Sequence, residues 1–189
     1  VYSIGYLRAN RERNQTRFYA FFALAIAAAQ LIAMAGDLIT MFIGYEMLTL
    51  ATWPLVAHQG TAAARSGGRT YLVVLLTTSI GLLLPAIVIT AVLAGTTQFA
   101  PDGLLADQAA PVLALLYAMY LFGIGKVALM PFHRWLPAAM VAPTPVSALL
   151  HAVAVVKAGA FAVVKVTIYV FGVDNLAETG ASTPMIWVA

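Results

Sequence analysis

Residues 110–140 read APVLALLYAMYLFGIGKVALMPFHRWLPAAM, an apolar stretch that carries Lys126 near its middle and Pro131 and Pro137 in its second half. As one regular helix, these 31 residues would measure about 46 Å at ~1.5 Å per residue, which exceeds the ~30 Å hydrocarbon core of a bilayer. Proline removes a backbone donor and crowds the preceding turn. The stretch therefore predicts a membrane-spanning helix over about 110–130, broken by proline and continued by a half-helix to about residue 140, with Lys126 close to mid-depth.

The chain as a whole has the composition of a membrane protein. Of its 189 residues, 62% are hydrophobic and 9% are charged, whereas soluble domains average about half apolar and a quarter charged. The apolar residues form continuous runs rich in Ala and Leu, which are typical of membrane helices rather than of the short alternating strands of a β-barrel. The sequence predicts an all-α fold, a polytopic membrane helix bundle with five transmembrane helices at about 18–36, 38–57, 70–94, 110–130 and 146–171.

The ends of the sequence suggest that residues 1–189 form a single membrane domain of a longer transporter subunit. The sequence starts at Val1 without Met. Residues 184–189 read as a new apolar segment that stops after a few residues. We therefore expect further spans outside this stretch.

The loop charges predict the orientation of the bundle, because lysine and arginine accumulate on the cytoplasmic side of short loops. All the loop arginines fall on the side that holds the N-terminus: Arg8, Arg11, Arg13, Arg17, Arg65, Arg69 and Arg134. The opposite side carries acidic residues and neither lysine nor arginine: Asp37, Asp102, Asp107, Asp174 and Glu178. We expect residues 1–17 on the cytoplasmic side, and a tight helical hairpin at Gly36–Asp37 on the outer side.

Five ionisable residues remain inside the predicted helices: Glu46, Lys126, His151, Lys157 and Lys165. A charge at the centre of a bilayer costs about 2.5–3.5 kcal/mol on insertion scales, so such residues usually face protein or water and serve a function. We interpret these five as candidates for moving protons or small cations through the membrane.

Glu46 and Lys126 form the first candidate pair. Glu46 lies near the middle of the second span and is expected to be buried and paired, and small residues before Lys126 would let a neighbouring helix or water approach it. A carboxylate that approaches a lysine stabilises the ammonium, and its departure lets the proton go, so such a pair is a switchable proton site. A static buried ion pair that only fixes helix register is the alternative.

The fifth span contains the other three candidates and opens with Pro143–Pro145, which suits a first helical turn. His151 and Lys165 are 14 residues apart, nearly four turns at ~3.6 residues per turn, so they share a helix face from which Lys157 is displaced. Histidine titrates near neutral pH and suits a relay between two lysines, although a hydrogen-bonded packing role explains the same position. Lys165 lies nearer the outer end, where reaching the interface with its long side chain is the alternative.

Several other function classes find no support in the sequence. It contains no cysteine, which excludes disulfides and cysteine-ligated clusters. Metal-ligand spacings, nucleophile motifs and phosphate loops do not occur. The arginines lie between apolar runs rather than in a patch with aromatic residues, so nucleic-acid binding is not expected. The sequence therefore predicts no catalytic residue, no cofactor-binding residue and no metal site.

Two stretches at the centre of the chain carry a resemblance to a known family. Residues 125–140 read GKVALMPFHRWLPAAM, and residues 142–152 read APTPVSALLHA. Together with YSIGY at 2–6, GYE at 44–46 and VKAG at 156–159, they resemble antiporter-like proton-translocating membrane subunits. These subunits are shared by respiratory complex I (NADH-quinone oxidoreductase, L/M/N-type subunits) and Mrp-type monovalent cation/proton antiporters (A/D-type subunits).

The resemblance implies translocation of protons, or exchange of monovalent cations for protons, by an antiporter-like subunit of a larger complex. By this resemblance, Glu46 matches the family's buried glutamate and Lys126 the lysine of a broken helix, while His151 and Lys157 match relay positions of the next helix. The implied partners are other membrane subunits of a respiratory or antiporter complex, the lipid bilayer, protons, and Na⁺ or K⁺. The implied location is the inner (plasma) membrane of a bacterium or an archaeon.

Two alternatives stay open. In one, the chain is a subunit of an NADH-quinone oxidoreductase whose redox chemistry lies in partner chains, since nothing in this sequence would hold a flavin, a nicotinamide or an iron cluster. In the other, the chain is a non-transporting membrane scaffold whose internal charges only fix assembly. Cation exchange without an electron donor would argue against the first, and loss of transport in an assembled Lys126→Ala variant would argue against the second.

Overall fold

The computed structural model describes residues 2–106, 108–180 and 183, and the regular secondary structure of these residues is helical. Two sequence predictions lie outside them, namely the position of Asp107 and the apolar segment at 184–189. In chain order, the helices are α1 (Tyr2–Ala9), α2 (Gln15–Met34), α3 (Leu38–Val56), α4 (Ala62–Ala94), α5 (Ala110–Gly123), α6 (Trp135–Ala138), α7 (Thr144–Phe171) and α8 (Val173–Thr179).

These helices form a membrane bundle. Within the described residues, α2, α3, α4 and α7 are long and apolar enough to cross a membrane, and α5 is a shorter apolar helix. Large apolar side chains point outward, for example Val92 at 77% exposure and Ile43 at 55%. Hydrocarbon solvates such side chains, whereas water does not. The predicted fold class, an all-α polytopic membrane bundle, is confirmed.

Helix α4 begins earlier than predicted, at Ala62 instead of residue 70. The Thr61 side chain accepts a hydrogen bond of 3.1 Å from Ala64 N and so caps the first turn, as threonine often does. The turns that follow carry Arg65 and Arg69, both exposed. Hydropathy marks the apolar part of a helix, and the polar extension of α4 therefore went unrecognised.

The connection between α2 and α3 is the predicted tight hairpin. Asp37 caps α3, accepting hydrogen bonds from Thr40 N at 2.8 Å and from Thr40 Oγ1 at 2.7 Å. These bonds, led by the one from the backbone amide, lower the pKa of the Asp37 carboxyl below its ordinary value. The two helices pack closely, since a Cβ on Gly44 would lie 3.1 Å from Ile32 Cγ1.

The loops gather at the two ends of the bundle as the charge pattern predicts. At the acidic end, Leu38 N donates to Thr97 O at 2.9 Å, and Leu105 N donates to Val170 O at 3.0 Å. These bonds join the α2–α3 turn, the α4–α5 loop and the end of α7. At the other end, Thr144 Oγ1 donates to Tyr6 Oη at 3.3 Å. The N-terminal segment and the start of α7 thus lie on the arginine-bearing side.

Helix α5 is followed by a hinge, which we define as residues 124–128. Helix α5 ends at Gly123, so the break comes seven residues before the predicted end at about residue 130. Ile124 has ψ 57°, Gly125–Val127 form a single 3₁₀ turn, and Ala128 is left-handed with φ 59°. Lys126 therefore lies inside the hinge and not within a regular helix.

The chain is closely packed at this break, which lies eight residues before Pro131. A Cβ on Gly123 would lie 2.5 Å from Leu83 N of α4, and a Cβ on Gly159 of α7 would lie 2.8 Å from Val127 N. Neighbouring helices can approach this closely only because these residues are small. The hinge thus forms where α4 and α7 both press against the chain after α5.

The two prolines shape the segment after the hinge. Pro131 precedes the 3₁₀ turn Phe132–Arg134, and Pro137 lies in α6, which a second 3₁₀ turn, Ala139–Val141, continues. The half-helix predicted to about residue 140 is therefore a series of three short helical turns. This segment packs against the arginine-bearing end of α4, where Gly67 contacts the Ala138 carbonyl.

Candidate functional site

Lys126 lies in the interior of the bundle with no exposed surface. Its ammonium donates hydrogen bonds to the backbone oxygen of Tyr45 at 2.9 Å and to Thr49 Oγ1 at 2.6 Å. The ammonium nitrogen also lies 3.1 Å from the centroid of the Tyr45 ring, which is the geometry of a cation–π contact. We call Lys126, Tyr45 and Thr49 the Lys126 site.

The backbone of Lys126 is also bound to α3. Its amide donates to Tyr45 Oη at 2.9 Å, whereas in a continuing helix it would donate to a carbonyl four residues earlier. Tyr45 thus contacts Lys126 through its ring, its hydroxyl and its backbone oxygen. These bonds explain why α5 stops short of Lys126: the amide that would extend the helix already has a partner on α3.

Sequence reasoning missed Tyr45 and Thr49 as members of the site. They lie four residues apart on α3, on one face, and both are fully buried. The Thr49 hydroxyl also donates to Tyr45 O at 3.1 Å, a bond that threonine commonly makes within a helix. Because a threonine hydroxyl can hydrogen-bond within its own helix, its presence in an apolar helix does not indicate a functional site. Its spacing of three residues from Glu46 was the available hint.

Glu46 follows Tyr45 directly but does not hydrogen-bond to the ammonium through its buried oxygen. The residue is half-buried rather than buried, and within the described part of the chain its Oε1 is enclosed and has no hydrogen-bond partner. The structure brings Lys126 to the turn of α3 that carries Glu46, yet the ammonium is held by neutral groups. The direct Glu46–Lys126 pairing stays a prediction.

His151 and Lys157 lie on α7, which packs against the hinge. His151 is half-buried in a π-helical turn, Leu149–Val153. Among the described residues, its Nε2 is enclosed without a hydrogen-bond partner. Lys157 is exposed and lines a groove between α2 and α7 with Ala33 and Phe161. The structure therefore brings neither side chain into hydrogen-bonding contact with Lys126.

Lys165 lies at the far end of α7, near the acidic end of the bundle. Its ammonium donates to Ala33 O at 3.2 Å and to Ala35 O, and the side chain is 8% exposed. Helix α2 ends at Met34, so these carbonyls belong to its C-terminus. The Phe99 ring lies 4.8 Å from the ammonium. Lys165 thus binds the end of a helix and does not extend freely to the surface.

Comparisons with known proteins agree with this architecture. The family model described as NADH:quinone oxidoreductase/Mrp antiporter, TM, matches residues 35–186. The chain is 32% identical over 155 residues to a probable K(+)/H(+) antiporter subunit of the A/B type from Rhizobium meliloti, a match that covers 79% of the chain and 15% of that protein. It is 35% identical over 166 residues to NADH-quinone oxidoreductase subunit N of Desulfitobacterium hafniense, covering 86% of the chain and 33% of that protein.

A solved structure has a similar fold. A chain in the structure of the Mrp complex from a Dietzia species superposes with a TM-score of 0.75 at 27% sequence identity, over 86% of this chain and 18% of that one. The present chain therefore spans between 15% and 33% of the length of these three proteins.

Proposed function

The chain belongs to the family described as NADH:quinone oxidoreductase/Mrp antiporter, TM, and from this premise we propose that it moves protons across the membrane through Lys126. The observation that carries the proposal is a lysine with no exposed surface at a helix break. Neutral groups of Tyr45 and Thr49 hold its ammonium on the turn that carries Glu46. A buried ionisable group in a membrane segment is costly to keep, which favours a functional role.

In the proposed mechanism, Lys126 holds one proton in the described arrangement. Two acceptors and an aromatic face stand in for the water that a buried ammonium has lost. Rotations within the hinge would let Lys126 move away from α3 without unfolding α5, as broken helices do in transporters. Once away from Tyr45 and Thr49, Nζ passes its proton to a neighbouring base or water and remains as a neutral amine.

We assign Glu46 the control of that release. An ionised carboxylate near the ammonium favours the protonated lysine, and a carboxylate that is neutralised or displaced favours the amine. The position of Glu46 on α3 supports this role, because Glu46 lies three residues before Thr49 and residues three apart are neighbours on a helix surface.

We place His151 and Lys157 next along the path. Both lie on α7, whose Gly159 contacts the hinge backbone. A movement of the hinge would therefore change its packing against this helix. Lys165 has two roles still open: the last relay group toward the acidic end, or an anchor for the end of α2. Its two carbonyl contacts support the anchor.

We further propose that the chain works within a larger membrane complex and in a bacterial or archaeal plasma membrane. The similar proteins carry names of subunits, of a probable K(+)/H(+) antiporter in one case and of an NADH-quinone oxidoreductase in the other. In one version of the proposal, redox chemistry in partner chains, as the name of the second relative suggests, drives this proton path. Exchange for Na⁺ or K⁺ in place of redox driving is the other version of the proposal.

The decisive experiment uses Lys126→Ala and Lys126→Arg in the complete protein, assayed in native membrane vesicles with a fluorescent pH indicator. Arginine keeps the charge and the donors but does not give up its proton in proteins. We expect both variants to lose transport by more than about tenfold, equivalent to about 1.4 kcal/mol or more in the barrier. Pulses of Na⁺ or K⁺ without an electron donor, and then NADH, identify the driving reaction.

Arg69→Ala is the matched control, because it removes an exposed basic residue at the arginine-bearing end of α4. Its transport should stay within about twofold of the unaltered protein, as expected for a surface change. Assembled Lys126→Ala and Lys126→Arg variants that transport at the normal rate would overturn the proposal and support the scaffold alternative.

A further inference from the structure

A tryptophan from the segment after the hinge binds the peptide next to Lys126. The indole Nε1 of Trp135 donates to the carbonyl of Gly125 at 2.9 Å. Because the α-helix has ended, this carbonyl lacks the usual helical donor four residues later and accepts instead from Ala128 N at 3.1 Å. Trp135 has no exposed surface, so both its N–H group and the carbonyl it binds are removed from solvent.

The same tryptophan is tied to α3 through α4. Its ring meets the Tyr71 ring edge to face, with centroids 5.4 Å apart. The Tyr71 hydroxyl shares a hydrogen bond of 2.6 Å with Thr52 Oγ1. Thr52 lies one turn beyond Thr49, which binds the Lys126 ammonium. Helix α3 is therefore connected to the hinge directly, through the Lys126 amide and side chain, and indirectly through Thr52, Tyr71 and Trp135.

We propose that Trp135 is a positioning residue for Lys126: its indole N–H holds the Gly125 carbonyl, and so sets how far the Lys126 ammonium lies from Tyr45 and Thr49. The inference rests on the proposed function of Lys126. Trp135 touches neither the ammonium nor its acceptors through a hydrogen bond and acts through the backbone. Without the indole bond, the Gly125 carbonyl keeps only the hydrogen bond from Ala128 N, and the peptide before Lys126 is held less firmly in the hinge.

Packing alone does not account for this arrangement. A buried indole N–H needs an acceptor, but the acceptor here is the carbonyl at the break and not one within a regular helix. The hinge is confined on its other side as well, since a side chain at Gly125 would overlap Thr78 of α4. Trp135 and Thr78 thus leave the Gly125 peptide little room to move.

The test compares Trp135→Phe with Trp53→Phe in the complete protein in native membrane vesicles. Phenylalanine keeps an aromatic ring against Tyr71 and removes the N–H donor. We expect Trp135→Phe to slow proton transport about fivefold, the order of effect for the loss of one of the two hydrogen bonds that the Gly125 carbonyl accepts. Trp53 is 41% exposed on α3, and Trp53→Phe should leave the rate within about twofold.

The pH profile separates positioning from general packing. A loosely held hinge leaves the ammonium less well bound, so the pH of half-maximal transport in Trp135→Phe should fall by about half a unit or more, in keeping with a lost hydrogen bond. A packing defect lowers the amount of assembled protein and leaves this midpoint unchanged. The substitution leaves the other titratable residues of α5 and of the elements packed around the hinge in place, so the variant differs from the unaltered protein only at Trp135. These residues are Tyr45, Glu46, Tyr71, Tyr120, His151 and Lys157.

Tyr71→Phe is the second variant, for use if Trp135→Phe fails to assemble. It removes only the hydroxyl that reaches Thr52, and we expect about a threefold slower rate with a smaller fall in the midpoint, since a neutral hydrogen bond is lost. Suppose that Lys126→Ala is inactive. The inference is then overturned if assembled Trp135→Phe transports at the normal rate with the normal midpoint. If only Tyr71→Phe assembles, the same result in that variant overturns it. A fully active Lys126→Ala variant overturns the proposed function instead.

Discussion

Lys126 and Lys165 are both buried lysines whose ammonium groups bind backbone oxygens of a neighbouring helix. The oxygens differ in whether they also have a hydrogen-bond donor within their own helix. Ala33 and Ala35 lie at the C-terminus of α2, where helical carbonyls lack intrahelical donors and the helix dipole favours a cation. Tyr45 O lies within α3 and already accepts from the Thr49 hydroxyl. A helix end requires its lysine, whereas the middle of a helix does not.

This difference leads us to expect that Lys165 keeps its contacts and that Lys126 exchanges them. If Lys165 moved, the carbonyl of the buried residue Ala35 and the carbonyl of the exposed residue Ala33 would both lose a charged donor. The acceptors of Lys126 remain bonded within α3 after the ammonium leaves. We therefore expect Lys165 to anchor a helix and Lys126 to be free to carry a proton.

Replacing Lys165 by methionine gives the strongest test of that separation. Two helix-terminal carbonyls lose a charged donor, and we expect the stability of the protein to fall by about 2 kcal/mol. Transport per assembled complex should stay within about twofold. Thermal unfolding of the purified complex in detergent gives the first quantity, and vesicle assays give the second. A stable Lys165→Met variant without transport would instead place Lys165 in the proton path.

Thr49→Val sharpens the other half of the comparison. Valine keeps the shape of threonine and removes one of the two hydrogen-bond acceptors of the Lys126 ammonium. We expect transport to slow about fivefold, or about 1 kcal/mol, with little change in thermal stability. Thr77→Val on α4, where the side chain is exposed, is the matched control and should transport normally. Equal transport rates in the two variants would mean that the hydrogen bond between Thr49 and the Lys126 ammonium does not contribute to transport.

Asp37→Ala gives the smallest effect and tests the acidic end, where Lys165 lies. The substitution removes the cap of α3, and we expect a loss of about 0.5–1 kcal/mol at neutral pH. The folded pKa of Asp37 is lowered, so its contribution is present above the unfolded pKa of about 3.9 and is lost as the pH falls through the folded value. Unfolding curves of both proteins should therefore converge in acid. A difference that persists there would contradict this assignment.

Parts of the fold could be predicted because they depend on properties summed over many residues. Mean hydropathy over a helix length and the sign of loop charges are such properties. They located α2, α3 and α7 to within a few residues and placed the acidic and basic loops at opposite ends. Predictions that depend on one bond were less accurate. Helix α5 ends at Gly123 because the Lys126 amide binds Tyr45 instead of continuing the helix.

The residues of the candidate site also differ in whether the sequence alone could predict them. Lys126 could be singled out because a charge in an apolar helix is conspicuous in any sequence. Tyr45, Thr49 and Trp135 could not, since a hydroxyl or an indole in an apolar helix usually satisfies itself locally or packs in a core. Their relevance comes from which groups they meet. The predicted pairing of Glu46 with Lys126 stays a prediction, while Thr49 and the Tyr45 backbone oxygen accept hydrogen bonds from the ammonium.

The amino-acid sequence by itself determined the solvent of this protein, its helical class, its orientation signal and the unusual charges within its spans. It did so because the cost of placing polar groups in hydrocarbon arises residue by residue, whatever the neighbours. Only the tertiary structure decided where α5 breaks and what holds the ammonium, because the residues that bind Lys126 lie 77 and 81 positions away in the chain. Contacts at that separation depend on how α3, α4 and α7 pack around the hinge.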